Sequence, residues 1–283
     1  MKPKPTLTTW LGQARTALSL QSPQEPVSSL YALLEKSIDR PRAWLLAHPG
    51  ILLDEQQVRS LNDDLQALLE GVPLAYILRY WDFYGIRFTI TPEVLIPRPE
   101  TELLVETALA ILSTKQHPCL ITDVGTGSGC IAAAITAHHA NVHVVAADHS
   151  FKSLLVAAHN FRQHALQNCI FPLQTDLLAG VEARFDLICA NLPYIPSAAV
   201  TDLAVSRYEP RLALDGGEDG LRIMERLLEQ AHSRLTTNGS ILLEIQYDQA
   251  DSIKDLARLH FPAAEVIIKK DLANHDRLLV IQL

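Results

Sequence analysis

The stretch Cys119-Leu-Ile-Thr-Asp-Val-Gly-Thr-Gly-Ser-Gly129 decides the fold of this 283-residue chain. Its apolar first half, Cys119–Val124, predicts a buried strand, and residues 128–138 predict a helix. Glycines between a strand and a helix allow a tight turn, let a ligand approach the backbone and leave the N–H groups of the helix N-terminus free. We therefore predict an α/β sheet whose first loop binds a ligand.

The spacing of the glycines indicates which ligand this loop binds. The dinucleotide-binding fingerprint needs glycine or alanine where this chain has Cys130, and a phosphate-binding P-loop needs a Gly-Lys-Ser/Thr sequence that does not follow. A Gly-x-Gly-x-Gly loop is instead associated with enzymes that use S-adenosylmethionine. We predict S-adenosylmethionine as the cofactor, bound by the loop residues Gly125, Thr126, Gly127, Ser128 and Gly129.

Acidic residues follow the next two predicted strands. Asp148 comes directly after the strand Val142–Ala147, where a carboxylate accepts hydrogen bonds from the ribose hydroxyls of a nucleoside. Asp176 follows a strand near Ile170–Gln174, and we predict that it meets the adenine amine while Leu177 packs on the ring. These three residues are predicted cofactor contacts.

A second polar motif, Asn191-Leu-Pro-Tyr194, follows the predicted strand Leu187–Ala190. It offers an amide, a stiff proline and a flat aromatic face at the end of the sheet where ligands bind. Such a turn can hold a planar group that carries an NH2, either a side-chain amide or the exocyclic amine of a base. The alternative is an ordinary turn that ends a strand. We also predict that Asn191 contacts the cofactor.

The chain divides into three predicted segments. Residues 1–75 carry apolar side chains at helical spacing and predict a small all-α domain, and residues 76–93 predict a β-hairpin linker that turns near Gly85. Residues 94–283 alternate strands and helices, which predicts a mostly parallel sheet with helices on both faces. The last two strands, Ala264–Lys269 and Arg277–Ile281, are joined too closely for a parallel crossover, so we expect an antiparallel hairpin.

Composition and charge weigh against several classes of protein. A hydrophobic content of 48% with 20% charged residues is typical of a globular protein with a sizeable core. The net charge of −8 argues against stable nucleic-acid binding. The four cysteines form no CxxC pair, so neither a disulfide framework nor a metal site is predicted. We find no signal peptide or membrane-spanning run, and expect a cytoplasmic protein without membrane contact.

Six segments together resemble one family, the N5-glutamine methyltransferases that modify peptide chain release factors. They are Val94-Leu-Ile-Pro-Arg-Pro-Glu-Thr-Glu102, Asp123–Gly129, Asn191–Tyr194, Tyr208-Glu-Pro-Arg-Leu-Ala-Leu-Asp-Gly-Gly217, Ile241-Leu-Leu-Glu-Ile245 and Asp271-Leu-Ala-Asn-His-Asp-Arg277. The resemblance covers residues 74–283. It implies a Rossmann-like class I methyltransferase fold preceded by a helical recognition domain, and an enzyme that acts on the Gly-Gly-Gln loop of release factors. We expect a monomer.

The resemblance also implies how the turn after Ala190 acts. The Asn191 side-chain oxygen and the Leu192 carbonyl accept the two N–H bonds of a glutamine amide and so orient its nitrogen toward the methyl group. Pro193 stiffens this turn and Tyr194 packs on the amide plane, so all four residues are predicted to bind substrate and take part in catalysis. Leu192 departs from the family, which usually has proline there.

Other readings of the site residues stay open on the sequence alone. Arg98 is predicted to contact the substrate, with Glu209 and Arg211 beside it, although ion pairs that fix loops are the alternative. The same turn suits an adenine-N6 nucleic-acid methyltransferase that acts on a flipped base, or a module that binds the cofactor without turnover. Arg79 and Asn274 stand where the family commonly has glycine.

Overall fold

The computed structural model of the protein describes residues 4–283. It divides into two compact units, one that ends at Tyr80 and one that spans Trp81–Leu283. No helix within the described range is long and apolar enough to cross a membrane.

Helices account for most of the described residues of the first unit. They are α1 (Leu7–Gln21), α2 (Val27–Ile38), α3 (Arg42–Ala47), α4 (Glu55–Leu69) and α5 (Leu74–Leu78). Thr6 caps α1, and Asp54 forms a capping box with Gln57 at the start of α4, so free N–H groups of these first turns are satisfied. Trp10 and Leu30 lie in an apolar core within the unit.

The residues Tyr76–Leu78 are helical, although the sequence predicted them as part of the hairpin. Pro73 precedes this short helix, and all three side chains are buried, whereas a strand with one exposed face buries alternate residues. Arg79 then ends the helix at a φ of 65°. A left-handed residue with a side chain costs about 1–2 kcal/mol, a cost that glycine at this position would avoid.

The hairpin is shorter than predicted. Its strands are β1 (Tyr80–Phe83) and β2 (Ile86–Thr89), which form a two-stranded sheet. Tyr84 and Gly85 connect them with φ values of 50° and 72°. Two positive φ values are those of a type I′ turn, whose twist matches that of the flanking strands.

A seven-stranded sheet forms the base of the second unit. Its strands are β3 (Cys119–Val124), β4 (Val142–Asp148), β5 (Ile170–Gln174), β6 (Phe185–Ala190), β7 (Leu235–Glu244), β8 (Glu265–Lys270) and β9 (Asp276–Gln282). The order is β5-β4-β3-β6-β7-β9-β8. Strands from β5 to β7 pair in parallel, and β9 runs antiparallel to β7 and β8. The predicted mostly parallel sheet and its antiparallel final hairpin are confirmed.

Helices flank these strands, and all except the short α9, which was not predicted, lie near the predicted places. They are α6 (Glu102–Leu112), α7 (Cys130–His138), α8 (Phe151–Gln163), α9 (Ser197–Val200), α10 (Arg222–Ala231) and α11 (Ala250–His260). Helix α7 begins two residues later than predicted because Gly129 precedes it in the left-handed conformation, with a φ of 81°. Strand β7 begins at Leu235 rather than Ser240, since Leu235 already pairs with Phe185 of β6.

The strand order places the predicted motifs at one edge of the sheet. Strand β3 lies between β4 and β6, and Val124 is level with Ala147 on one side and Ala190 on the other. Parallel strands end at the same edge, where a crevice forms at the point where the strand order reverses. The glycine loop, Asp148 and Asn191 therefore emerge side by side.

Candidate active site

A cavity of about 500 Å³ opens at this edge. It is of the size that holds small ligands and cofactors. Most of the sequence-predicted site residues line it: Gly125, Thr126, Gly127, Ser128, Asp148, Asp176, Leu177, Asn191, Leu192 and Pro193. Three predicted residues, Gly129, Tyr194 and Arg98, are not among the lining residues.

The glycine loop is shaped by backbone contacts that require the absence of a side chain. Gly125 and Gly127 have φ values of 75° and 55°. The Gly125 N–H donates to the Ala147 carbonyl at 2.8 Å, and the Gly127 N–H donates to Asp148 Oδ2 at 2.9 Å. A Cβ on Gly125 would lie 3.1 Å from Leu192 Cδ2, so this glycine lets the loop and the Asn191 turn approach each other.

Gly129 has a different role from the other loop glycines. A Cβ at this position would overlap the ring of Phe161, which is buried in α8. Gly129 therefore permits close packing of the loop on α8, and the structure does not bring it to the cavity wall.

Asp148 is partly buried beside the loop. Its Oδ1 accepts the Ser150 N–H at 2.8 Å, and its Oδ2 accepts the Gly127 N–H. Burial raises the pKa of Asp148, and these backbone hydrogen bonds oppose the rise. Each carboxylate oxygen accepts more than one hydrogen bond, so Asp148 retains acceptor capacity for hydroxyl groups in the cavity.

Asp123 supports the glycine loop from below. Its side chain is 1% exposed, and Oδ2 accepts hydrogen bonds from Thr126 Oγ1 at 2.7 Å and from the Ala132 N–H at 3.3 Å. Burial raises the pKa of Asp123 to about 7. Its Oδ1 is buried without a hydrogen-bond partner among the described residues.

Asp176 forms an ion pair across the cavity wall. Its Oδ2 accepts Arg226 Nη2 at 2.6 Å, and both residues line the cavity. Its acceptor capacity is therefore shared between the predicted adenine contact and a guanidinium. Leu177 follows in the left-handed region, with a φ of 55°, and is buried.

The Asn191 turn is held by residues that are distant in sequence. Asn191 Nδ2 donates to Thr101 Oγ1 at 3.1 Å, and Gln249 Nε2 donates to the Tyr194 carbonyl at 2.9 Å. A Cβ on Gly220 would overlap that same carbonyl. Leu192 is only 4% exposed, so burial of its side chain anchors the turn.

Tyr194 lies behind the cavity wall and contacts a buried acid. Its hydroxyl donates to Glu244 Oε1 at 3.4 Å. Burial, followed by the charge of Glu244, raises the pKa of Tyr194, so the phenol is protonated at neutral pH.

Arg98 pairs with Glu209 rather than lining the cavity. One guanidinium nitrogen lies 2.6 and 2.7 Å from the two carboxylate oxygens, and the Glu209 side chain is fully buried. Burial raises the pKa of Glu209, and the Arg98 charge opposes the rise. Arg211 pairs with Asp215 at 3.3 Å. These contacts match the alternative reading, in which ion pairs fix loops.

Comparison with known proteins identifies the family. A model described as the PrmC N-terminal domain matches residues 9–78, and one described as the methyltransferase small domain matches residues 99–208. The chain is 38% identical to the release factor glutamine methyltransferase of Coxiella burnetii, over 88% of both chains. It is 37% identical to the one of Moorella thermoacetica, over 96% of both. The chain belongs to the release factor glutamine methyltransferases.

Solved structures confirm the methyltransferase fold of this family member. A methyltransferase from Pyrococcus furiosus superposes with a TM-score of 0.51 at 18% identity, covering 81% of this chain and 98% of that one. The predicted α/β methyltransferase sheet and the family resemblance are both confirmed, and the chain is an enzyme.

The sequence did not predict two residues of this glutamine methyltransferase site. Thr101 lines the cavity and accepts from Asn191, and Glu244 contacts Tyr194. Both lie within family-like segments, Val94–Glu102 and Ile241–Ile245, but no role was predicted for either. Two features could have identified them. Glu244 is the single carboxylate in the apolar run Ile241–Ile245, and Thr101 is a hydroxyl in the proline-rich run Val94–Glu102.

Proposed function

We propose that this protein methylates the side-chain amide nitrogen of the glutamine in the Gly-Gly-Gln loop of peptide chain release factors, with S-adenosylmethionine as methyl donor. The observation that carries the proposal is the juxtaposition of the glycine loop with the Asn191 turn in one cavity. Family membership supports the release factor as partner, because the relatives carry that name.

The cavity suits the cofactor on physical grounds. A Cβ on Gly127 would lie 3.9 Å from the Gly125 carbonyl oxygen, in ordinary contact, so the loop is not closed over this residue. Asp148 is fixed by two backbone N–H groups at a position where it can accept ribose hydroxyls. Asp176 and Leu177 lie on the adjoining wall for the adenine. The cofactor supplies a methyl group on a cationic sulfur.

The Asn191 turn supplies the acceptors for the substrate amide. Because Asn191 Nδ2 is committed to Thr101, its Oδ1 is the atom left to face a ligand. Within residues 4–283, the Leu192 carbonyl accepts no hydrogen bond, so it remains for a second N–H. An amide nitrogen is a weak nucleophile, and two acceptors on its N–H bonds stabilise the positive charge that develops there.

Pro193 fixes the direction of the Leu192 carbonyl, since a proline restrains the residue before it. Tyr194 stays protonated and stiffens the turn through Glu244. Arg98 fixes the position of its loop through its ion pair with Glu209. Gly129 allows the glycine loop to pack closely against Phe161.

Several wider assignments belong to the same proposal. Residues 1–75 recognise the release factor, residues 76–93 link them to the methyltransferase domain over residues 94–283, and the enzyme acts in the cytoplasm on translation termination. We infer that the enzyme acts as a monomer. The net charge of −8 supports a protein substrate over a nucleic acid.

Mass spectrometry of a recombinant release factor tests the proposal. After incubation with the protein and S-adenosylmethionine, the expected result is a mass increase of one CH2 unit on the target glutamine. A release factor whose target glutamine is replaced by asparagine serves as the matched control. Labelled methyl in DNA or RNA, and none in the release factor, would overturn the assignment in favour of an adenine methyltransferase.

A further inference from the structure

A second cluster of side chains with chemical potential lies at the opposite edge of the seven-stranded sheet, where the parallel strands β3 and β6 begin. His117 and Cys119 belong to the entry into β3, and Asp186 is the second residue of β6. The glycine loop leaves the far end of β3, roughly 17 Å from Cys119 for a strand of this length. The three residues are absent from the lining of the methyltransferase cavity, so the cluster is separate from it.

The three side chains offer the donor atoms of a zinc site. A ring nitrogen of His117, Sγ of Cys119 and a carboxylate oxygen of Asp186 all lie within 4.8 Å of one another. Ligands that share a tetrahedral zinc ion are about 3.6 Å apart, because each lies about 2.0–2.3 Å from the metal. The His117 side chain is exposed, so its movement can close the remaining gap of roughly 1 Å.

Neighbouring groups orient the donors as the surroundings of a metal site do. His117 Nδ1 lies 3.0 Å from the Pro118 carbonyl oxygen, so Nδ1 carries the proton and Nε2 keeps its lone pair. Asp186 Oδ2 accepts the Leu120 N–H at 3.0 Å, and Oδ1 accepts the Thr236 hydroxyl at 3.1 Å. Each of these oxygens retains a second lone pair for a metal. Metal-binding histidines and carboxylates are characteristically held by such hydrogen bonds.

A cavity of about 410 Å³ gives access to the cluster. His117 and Asp186 line it, and Cys119 is buried, with 1% exposure. Lys115 also lines this cavity, but its ammonium group donates to the Asn238 carbonyl at 2.7 Å and is held by that acceptor. A thiolate and a carboxylate together supply two negative charges, which match a divalent cation.

We propose that His117, Cys119 and Asp186 bind a zinc ion that joins the starts of β3 and β6. On binding, Cys119 releases its thiol proton to solvent and coordinates as the thiolate, and water fills the fourth position. Sulfur and imidazole donors favour zinc over magnesium and calcium, which prefer oxygen. The sequence predicted no metal site because it has no CxxC pair and because Asp186 is distant from the other two ligands along the chain.

Cobalt(II), which binds to the same ligands as zinc and absorbs light, tests the site in the full chain. We expect one equivalent of cobalt to produce a thiolate-to-cobalt charge-transfer band, which added zinc abolishes. Cys119→Ser should lose the band. Cys169→Ser, which removes a free thiol outside the cluster, is the matched control and should keep it. No band in the unmodified protein, or a band that persists in Cys119→Ser, would overturn the proposal.

The same spectrum separates this cluster from another group of donors. Glu225, Glu229 and His260 also bring ligand atoms within 4.8 Å of one another. That group contains no sulfur, so cobalt bound there gives no thiolate band. Cobalt that binds without the band would therefore assign the metal to other side chains and overturn the site at Cys119.

His117 variants test the second ligand without disturbing the core. His117→Ala changes an exposed side chain, and we expect the zinc dissociation constant, measured by competition with a chelating dye, to rise roughly tenfold or more. His159→Ala, which removes an exposed histidine of α8, is the matched control and should change the constant by less than about twofold. An unchanged constant in His117→Ala would contradict the proposal even if Cys119→Ser fails to fold.

Thermal unfolding measures whether the ion joins the two strands in the native state. Zinc at about a hundred times its dissociation constant should raise the Tm of the unmodified protein by roughly 5–10 °C. At the same zinc concentration, His117→Ala should show roughly half of that shift or less. Equal shifts in the two proteins would overturn the assignment. None of these measurements involves a release factor, so their outcome is independent of the proposed methylation.

Discussion

The glycine loop and the Asn191 turn form the two halves of the cavity, and each lies next to a buried carboxyl group. The two carboxyl groups differ in where their hydrogen-bond partners lie in the sequence. Asp123, under the glycine loop, is bonded to Thr126 and Ala132, which are three and nine residues away in sequence. Glu244, behind the Asn191 turn, is bonded to Tyr194, which is 50 residues away. The loop is thus organised locally, whereas the turn is assembled from segments that meet only in the folded sheet.

The largest effect on turnover is expected from a substitution at Gly220, because the backbone of the Asn191 turn leaves no room for a side chain there. Gly220→Ala adds a Cβ that overlaps the Tyr194 carbonyl, at a φ of 76°. The turn must shift, and we expect turnover to fall roughly a hundredfold because preorganised acceptors lose their alignment. Cofactor affinity, measured by calorimetry, should change little, since the glycine loop is untouched. An unchanged kcat would show that the turn tolerates displacement.

A substitution in the glycine loop should instead lower the stability of the protein. Gly129→Ala forces a Cβ into Phe161 at a φ of 81°, and we expect the free energy of unfolding in urea to fall by about 3 kcal/mol. Gly180→Ala is the matched control, because Gly180 has a φ of 73° but nothing within 4 Å of the added Cβ. Equal losses in the two variants would mean that packing on Phe161 contributes nothing.

A smaller effect should be common to both halves and depend on pH. The pKa of Asp123 and that of Glu244 are each raised to about 7, so the folded protein binds more protons than the unfolded chain between the ordinary acid range and pH 7. The free energy of unfolding should therefore decrease as pH rises through that window, by roughly 1–3 kcal/mol for each carboxyl.

Urea unfolding at several pH values measures this dependence. Glu244→Gln should remove the part of this pH dependence that is due to Glu244 and leave the part that is due to Asp123. Stability that rises from pH 5 to pH 8 would contradict the assigned protonation.

The same contrast explains what could be predicted from the sequence. Gly125, Gly127 and Asp148 were found because a strand, a loop and a helix follow one another directly and dictate the local geometry. The helical turn at Tyr76–Leu78 was missed because a short apolar run does not distinguish a helix from a strand.

The partners of the Asn191 turn could not be predicted, for a reason of distance along the chain. Thr101 lies 90 residues from Asn191, and their contact depends on how the segment before α6 crosses the sheet edge. Nothing in the composition of either segment encodes that approach. For Arg98 the sequence left both a substrate contact and an ion pair that fixes a loop open, because its buried partner, Glu209, is 111 residues away.

Crossed variants test the central claim, that one half of the cavity binds the cofactor and the other orients the amide. Asn191→Ala and Asp148→Ala are compared by calorimetry with S-adenosylmethionine and by release factor methylation at saturating cofactor. We predict that Asn191→Ala keeps its affinity within about threefold and loses about a hundredfold in turnover, while Asp148→Ala loses about tenfold in affinity and keeps most of its turnover. Equal losses of affinity in both variants, or full turnover by Asn191→Ala, would contradict the account.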